Sequence, residues 1–269
     1  MLDDIGLYDT IFAADTDREH TNGTLCSWSQ AYNKLSELNK GDSPSDSDSS
    51  DLSKKMKSLL IRDSNESFLA WMIVCFVPLA RKSFPTPGKK TLTPAGTAAR
   101  DGIKADNKIC KIVDDAVHNL QDVILMKNEF SRHDVDVSSP LKRKPSNVSR
   151  VVQGLAIRRW GPHWRSCVIF ALLTEVAEQN GESQILAILE DYGAWLLNIE
   201  EFGLLDVDKL KPIIDGKQVF EAVGSSRGGP WVRKALDIAM AWQLRHPEIT
   251  DPTGAIEEII SRKREIGIP

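Results

Sequence analysis

The 269-residue sequence contains four cysteines, Cys26, Cys75, Cys110 and Cys167. They are far apart and never form a CxxC pair, so neither a zinc site nor a disulfide framework is encoded, and they read as reduced thiols of a core. No apolar run is long enough to cross a bilayer. The longest, Phe68 to Ala80, is thirteen residues and reads as a buried helix. The first residues, MLDDIGLYDTIF, lack a basic flank followed by an apolar stretch and lack the Arg and Ser enrichment of a transit peptide. The expectation is an intracellular chain with no membrane partner. Also missing are a glycine-rich phosphate loop, a Gly-x-Ser-x-Gly elbow and HExxH. The five histidines, His20, His118, His133, His163 and His246, have no metal-ligand spacing. A formal charge of -4 excludes a uniformly basic nucleic-acid binder, so affinity for a polyanion has to come from local clusters.

What is present is helical periodicity, and 41% hydrophobic content suffices for a core. Apolar side chains recur at three- and four-residue steps through Leu25, Trp28, Tyr32, Leu35 and Leu38, and again from Ile109 to Ile124. Further stripes run from Trp164 to Val176, from Ile185 to Ile199 and from Trp231 to Trp242, the first and last entered through Pro162 and Pro230. No alternating strand pattern lies between them. The spacing predicts an all-α fold with a helical body, residues 1–200, and a smaller helical tail, residues 201–269. Residues 41–53, rich in Ser and Asp, and residues 83–102, rich in Pro and Gly, read as flexible insertions in the body. The first could also be a phosphorylation target.

Charge is arranged in blocks. From Val137 to Thr174 lie Lys142, Arg143, Lys144, Arg150, Arg158, Arg159 and Arg165 with no acid; from Glu175 to Asp208 lie nine acids with no Lys or Arg. Basic residues return as Lys209, Lys211, Lys217, Arg227, Arg233 and Lys234. Such blocks suit a polyanion-binding face with an acidic back, or solvated faces that segregate by sign. The Asp-x-Asp pairs (Asp15/Asp17, Asp46/Asp48, Asp134/Asp136, Asp206/Asp208) lack the rigid strand and glycine turn of a two-metal site, and capping explains them. His133-Asp134 is a weak metal-hydrolase dyad. The turn Ser225-Ser226-Arg227-Gly228-Gly229-Pro230-Trp231 offers helix N–H groups and nearby cations to a backbone phosphate. It is equally a plain helix start that buries Trp231.

The run from Asp215 to Pro247 resembles the C-terminal part of eukaryotic CCA-adding enzymes, the tRNA nucleotidyltransferases related to poly(A) polymerases. Gly216-Lys217, Arg227-Gly228-Gly229-Pro230-Trp231 and Trp242-Gln243-Leu244-Arg245-His246-Pro247 stand where that family has its Gly-Lys pair, its basic-Pro-Gly-Pro-Trp turn and its Trp-Gln-Leu-x-x-Pro ending. Gly228 replaces a common proline and Arg233 a common small residue. Two earlier segments are similar in order, LDDIGLYDTIF from Leu2 and LAIRRWGPHWRSCVIFALLTEV from Leu155, so the resemblance spans nearly the whole chain. It implies a fungal type of member.

That resemblance implies the helical body and tail of the enzyme without its catalytic head. Mg and CTP/ATP are then expected only in the missing head and neck, and no cofactor or metal in this chain. The implied partner is tRNA, gripped on its acceptor and T-arm side through backbone and shape, and possibly a separate catalytic chain. Expected phosphate contacts are Arg158, Arg159, Arg165, Lys217, Arg227, Gly228, Gly229, Arg233 and Lys234. The chain is expected to bind tRNA and to catalyse nothing alone, in the cytoplasm, nucleus or mitochondrion. A non-catalytic helical interaction module from the same family is the alternative.

Overall fold

The computed structural model describes residues 25–40, 47–81, 92–135, 147–224 and 229–267. Every regular element among them is helical. In chain order these are α1 (Leu25–Lys40), α2 (Ser47–Leu60), α3 (Ser64–Val74), a 3-10 turn (Val77–Leu79), α4 (Pro94–Asp101), α5 (Asn107–Val135), α6 (Asn147–Trp160), α7 (Trp164–Ala177), α8 (Glu182–Glu201), a second 3-10 turn (Val207–Lys209), α9 (Gly216–Val223), α10 (Trp231–Arg245), α11 (Thr253–Ser261) and α12 (Lys263–Ile266). The protein is all-α, as its periodicity predicts.

Local chemistry sets the helix starts. Asp63 accepts from the Glu66 N–H at 2.7 Å ahead of α3, and the Thr93 hydroxyl accepts from the Gly96 N–H at 2.9 Å with Pro94 in the first turn of α4. Asp215 and Gln218 form a reciprocal capping box on α9, which ends at Gly224 with φ 68°.

The chain divides into two compact units. The first comprises Met1–Ser138 and His163–Glu200, the second Ser139–Pro162 and Glu201–Pro269. In the first, α7 is the centre: all its residues but Glu175 are buried, and α1, α2, α3, α5 and the first 3-10 turn surround it. A helix apolar on every side can only be an interior one. In the second unit, α10 is the centre, with α6, α9, α11 and α12 against it. Its core joins Ile214, Val219, Val223, Trp231, Ala235, Ala239, Trp242, Ala255, Ile259 and Ile266.

Three expectations about organisation need correction. Residues 47–53, within the expected first insertion, are helical, because α2 begins at Ser47 and carries Met56, Leu59 and Leu60 into the core. Ser and Asp are residues that a helix N-terminus favours, so their run upstream of an apolar stripe extends the helix. Residues 94–101, within the expected second insertion, form α4, whose Ala95, Ala98 and Ala99 are small enough to bury against α5. The remainder of both stretches, 41–46 and 83–91, lies outside the described residues. Finally, α6 belongs to the second unit and not to a body ending at residue 200, because its polar and apolar contacts fall on residues 202–244.

Candidate nucleic-acid interface

Three described residues of the first basic block turn to main-chain carbonyls. Lys142, Arg143 and Lys144 lie outside the described residues. Arg150 donates through Nε to the Leu244 carbonyl at 2.8 Å and through its guanidinium to the Phe202 carbonyl. Arg158 donates to the carbonyls of Val207, at 2.8 Å, and Leu210. Burial lowers the basicity of Arg158, against the opposing pull of Asp208 and Asp237. Arg165, on α7, is only 5% exposed: Nε donates to the Leu59 carbonyl at 2.9 Å and the guanidinium lies 4.5 Å from the Trp164 ring centroid. Arg158 and Arg165, expected as phosphate contacts, instead satisfy main-chain carbonyls that helix ends and turns leave without partners. Arg159 is exposed on α6.

Four of the nine acids in the acidic block are paired. Glu175 pairs with the buried Lys127 at 3.2 Å and accepts from the Tyr192 hydroxyl at 2.6 Å. Glu178 pairs with Arg81, Glu200 with Lys55 and Asp206 with Lys209, each at 2.8 Å.

The described residues of the second basic block stay on the surface. Lys217 on α9 and Arg233 and Lys234 on α10 are exposed and have no ion pair among the described residues. They share one end of the second unit. The first residue of α9, Gly216, lies against Val232, since a Cβ there would sit 3.8 Å from Val232 Cγ1, and the Phe220 and Trp231 rings meet edge to face at 5.4 Å. Trp231 is buried, Pro230 supplies no side-chain cap, and the Val232 N–H donates to the Gly229 carbonyl at 3.1 Å, beside the two cations in the first turn. Gly229 is exposed immediately before this start, and a Cβ there would lie 2.9 Å from the Trp231 indole. Arg227 and Gly228 lie outside the described residues. Glu221 and Asp237 are exposed on the same two helices, so the surface is basic locally and not throughout.

The Trp-Gln-Leu sequence on α10 is the hub of this unit. Trp242 is buried under α11, where a Cβ on Gly254 would approach its Cζ2 to 2.5 Å, so only glycine allows the contact. Gln243 accepts from the Ile213 N–H at 3.0 Å and donates to the Lys211 carbonyl at 3.3 Å. Leu244 packs on Gly154 of α6, and its carbonyl takes Arg150. Gln243 is a polar contact that periodicity does not reveal. Its signals in the sequence are a single amide on an otherwise apolar face and its place in the Trp-Gln-Leu-x-x-Pro ending.

Comparison with known proteins follows the same sequence features. No family model and no solved structure matches the chain. Among curated proteins, "Nucleotidyltransferase lcsQ" of Purpureocillium lilacinum is 29% identical over 311 aligned residues, covering all of this chain and 49% of that protein. The "tRNA nucleotidyltransferase cca1" of Schizosaccharomyces pombe is 26% identical over 203 residues, 74% of this chain and 38% of its own. The "CCA tRNA nucleotidyltransferase, mitochondrial" of Candida glabrata is 27% identical over 190 residues, 69% of this chain and 32% of its own. The chain is similar to fungal nucleotidyltransferases, tRNA nucleotidyltransferases among them. It spans half or less of the length of these relatives. No group of three metal-ligating side chains and no helix long and apolar enough to cross a membrane occurs among the described residues.

Proposed function

We propose that this chain is a tRNA-contacting helical part of a CCA tRNA nucleotidyltransferase, with its second unit gripping the phosphate backbone on the acceptor and T-arm side. The observation that carries the reading is the trio Lys217, Arg233 and Lys234, exposed and without an ion pair among the described residues, at the starts of α9 and α10. Such a surface binds backbone phosphates without reading sequence, which suits folded RNA. Arg227 and Gly228 belong to the same reading. The helical part binds, and polymerisation from CTP and ATP with Mg belongs to the catalytic region that the family's enzymes supply. An intracellular site of action, in cytoplasm, nucleus or mitochondrion, goes with that role.

The test is tRNA binding as a function of salt for the wild type and for K217A/R233A/K234A. Three lost phosphate contacts lower the slope of log affinity against log salt by about 2 to 3 and weaken binding by one to two orders of magnitude at about 0.1 M salt. An unchanged slope and affinity would falsify the interface. Incubation with tRNA lacking its terminus, CTP, ATP and Mg is expected to give no extension, and extension would overturn the division of labour.

One observation favours a second reading, a protein-interaction module. Tyr32 and Phe68 are 42% and 53% exposed, and the Tyr32 ring lies 5.0 Å from that of Trp71 and 5.3 Å from that of Trp28, giving the first unit an aromatic surface. Tight binding of a protein partner by a chain that shows no salt-sensitive tRNA binding selects this reading.

A further inference from the structure

The stretch from the second 3-10 turn into the first turn of α9 carries Lys211 at one end and Lys217 at the other, and it is fastened to α10 at two separate heights. At the first, the Gln243 side chain accepts from the Ile213 N–H at 3.0 Å and donates to the Lys211 carbonyl at 3.3 Å. At the second, Gly216 lies against Val232. Between them Ile214 is 1% exposed and anchors the segment in the core. Gln243 and Val232 are separated by about 16 Å of helix rise. The segment therefore follows α10 from its last turns back to its first, ending beside Arg233 and Lys234.

Lys211 is exposed and has no ion pair among the described residues, unlike Lys209 two residues earlier, which pairs with Asp206 at 2.8 Å. Pro212 follows it, so its backbone is restricted by the proline ring as well as by the Gln243 amide. A cation on a backbone held at two points loses less entropy on meeting a phosphate than one on a free loop.

We propose that Lys211 and Lys217, on either side of the helix-capping Asp215, form a cationic rail along α10, in which Lys211 is a further contact to the RNA backbone and Gln243 is the residue that positions it. The inference rests on the RNA-binding reading above and lengthens its surface from the start of α10 to its last turns. Gln243 itself acts through the main chain of residues 211 and 213 and not by touching RNA.

The experiment measures tRNA affinity across a salt series for the wild type, K211A, Q243L and K211A/Q243L. K211A is expected to lower the log-log salt slope by about 0.7 to 0.9 and affinity about fivefold at about 0.1 M salt. Q243L is expected to lower the slope in the same direction with every charge retained, and to accelerate hydrogen exchange at the Ile213 amide. In the K211A background it should add nothing to the slope, since it acts through that lysine. If Q243L fails to fold by circular dichroism, Q243N, which is neutral and too short to hold both main-chain groups, takes its place. An unchanged slope and affinity in K211A, together with loss of binding in K217A/R233A/K234A, overturns the rail and leaves the RNA-binding reading standing. A Q243L effect that adds fully to K211A removes the positioning role. A wild type without salt-sensitive tRNA binding overturns both readings.

Discussion

Arg165 separates the two uses to which this protein puts cations. By sequence it lies in a run of basic residues and resembles a phosphate ligand. In the structure it is 5% exposed, with Nε 2.9 Å from the Leu59 carbonyl in the last turn of α2 and its guanidinium 4.5 Å from the Trp164 ring. Replacing it with alanine leaves that buried carbonyl without this donor, which costs about 1–3 kcal/mol. Loss of the partly desolvated contact with the indole removes about 0.5–2 kcal/mol more. The expected total is about 1.5–5 kcal/mol, a large part of the stability of an ordinary domain. The assay is urea unfolding followed by tryptophan fluorescence, combined with tRNA binding normalised to the folded fraction. R165A should lower the unfolding midpoint clearly and leave tRNA affinity per folded molecule unchanged. K217A/R233A/K234A should do the reverse, because exposed substitutions away from caps and networks usually change stability by less than about 0.5 kcal/mol. An R165A variant with an unaltered midpoint and weakened tRNA binding would refute the assignment of this arginine to the core.

Other sites give independent tests. Lys127 is 3% exposed and pairs with Glu175, which also accepts from Tyr192, so K127M leaves a poorly solvated carboxylate and should cost about 3–5 kcal/mol in equilibrium unfolding. Y192F removes one hydrogen bond from the same cluster and should cost about 1.5–3 kcal/mol. G254A places a methyl 2.5 Å from Trp242 Cζ2, so overpacking of about 1–3 kcal/mol is expected in a thermal melt. Burial pushes the Cys167 thiol up to about 12 and Cys75 to about 11, both from 9.0, and holds the Tyr192 hydroxyl well above its usual 10.0. The folded state therefore favours the protonated forms, and this contribution is complete below pH 9 and is lost as pH rises towards the folded values. Urea midpoints should fall between about pH 8.5 and 11, and less steeply in C75A/C167A.

The helices were legible because each buries a face whose period is 3.6. Trp231, Ala235, Ala239 and Trp242 face one core, and the stripe from Trp164 to Val176 marks α7 correctly. The stripe understated α7, since surrounding helices cover its other faces too, and periodicity cannot distinguish a half-buried helix that happens to carry Ser166 and Thr174 from a wholly buried one. Starts made of Ser, Asp, Pro and Gly were the part misjudged. Those residues signal both loops and helix N-termini, and the choice depends on whether Met56 or Ala95 and Ala98 further along find a surface to bury against. The membership of α6 depends on long-range hydrogen bonds to residues 202–244, which no local pattern contains.

Linear charge was the most misleading signal, and the reason lies in side-chain chemistry. Arg150, Arg158 and Arg165 all come from helices that carry apolar faces, and all three donate to main-chain carbonyls. Arginine suits that role because its fork of N–H groups reaches two carbonyls at once and is weakly hydrated, whereas a lysine ammonium is a compact, strongly hydrated charge. Arg158 spans the carbonyls of Val207 and Leu210 and so fixes the second 3-10 turn to α6. R158K can keep one of these bonds and must leave the other carbonyl to water, at an expected cost of about 0.5–1.5 kcal/mol to the second unit. R233K, on the exposed face of α10, replaces one free cation with another and should leave both stability and the salt slope of tRNA binding unchanged. Differential scanning calorimetry of the two variants reads the contrast, and equal melting temperatures would show that the Arg158 fork contributes nothing beyond its charge.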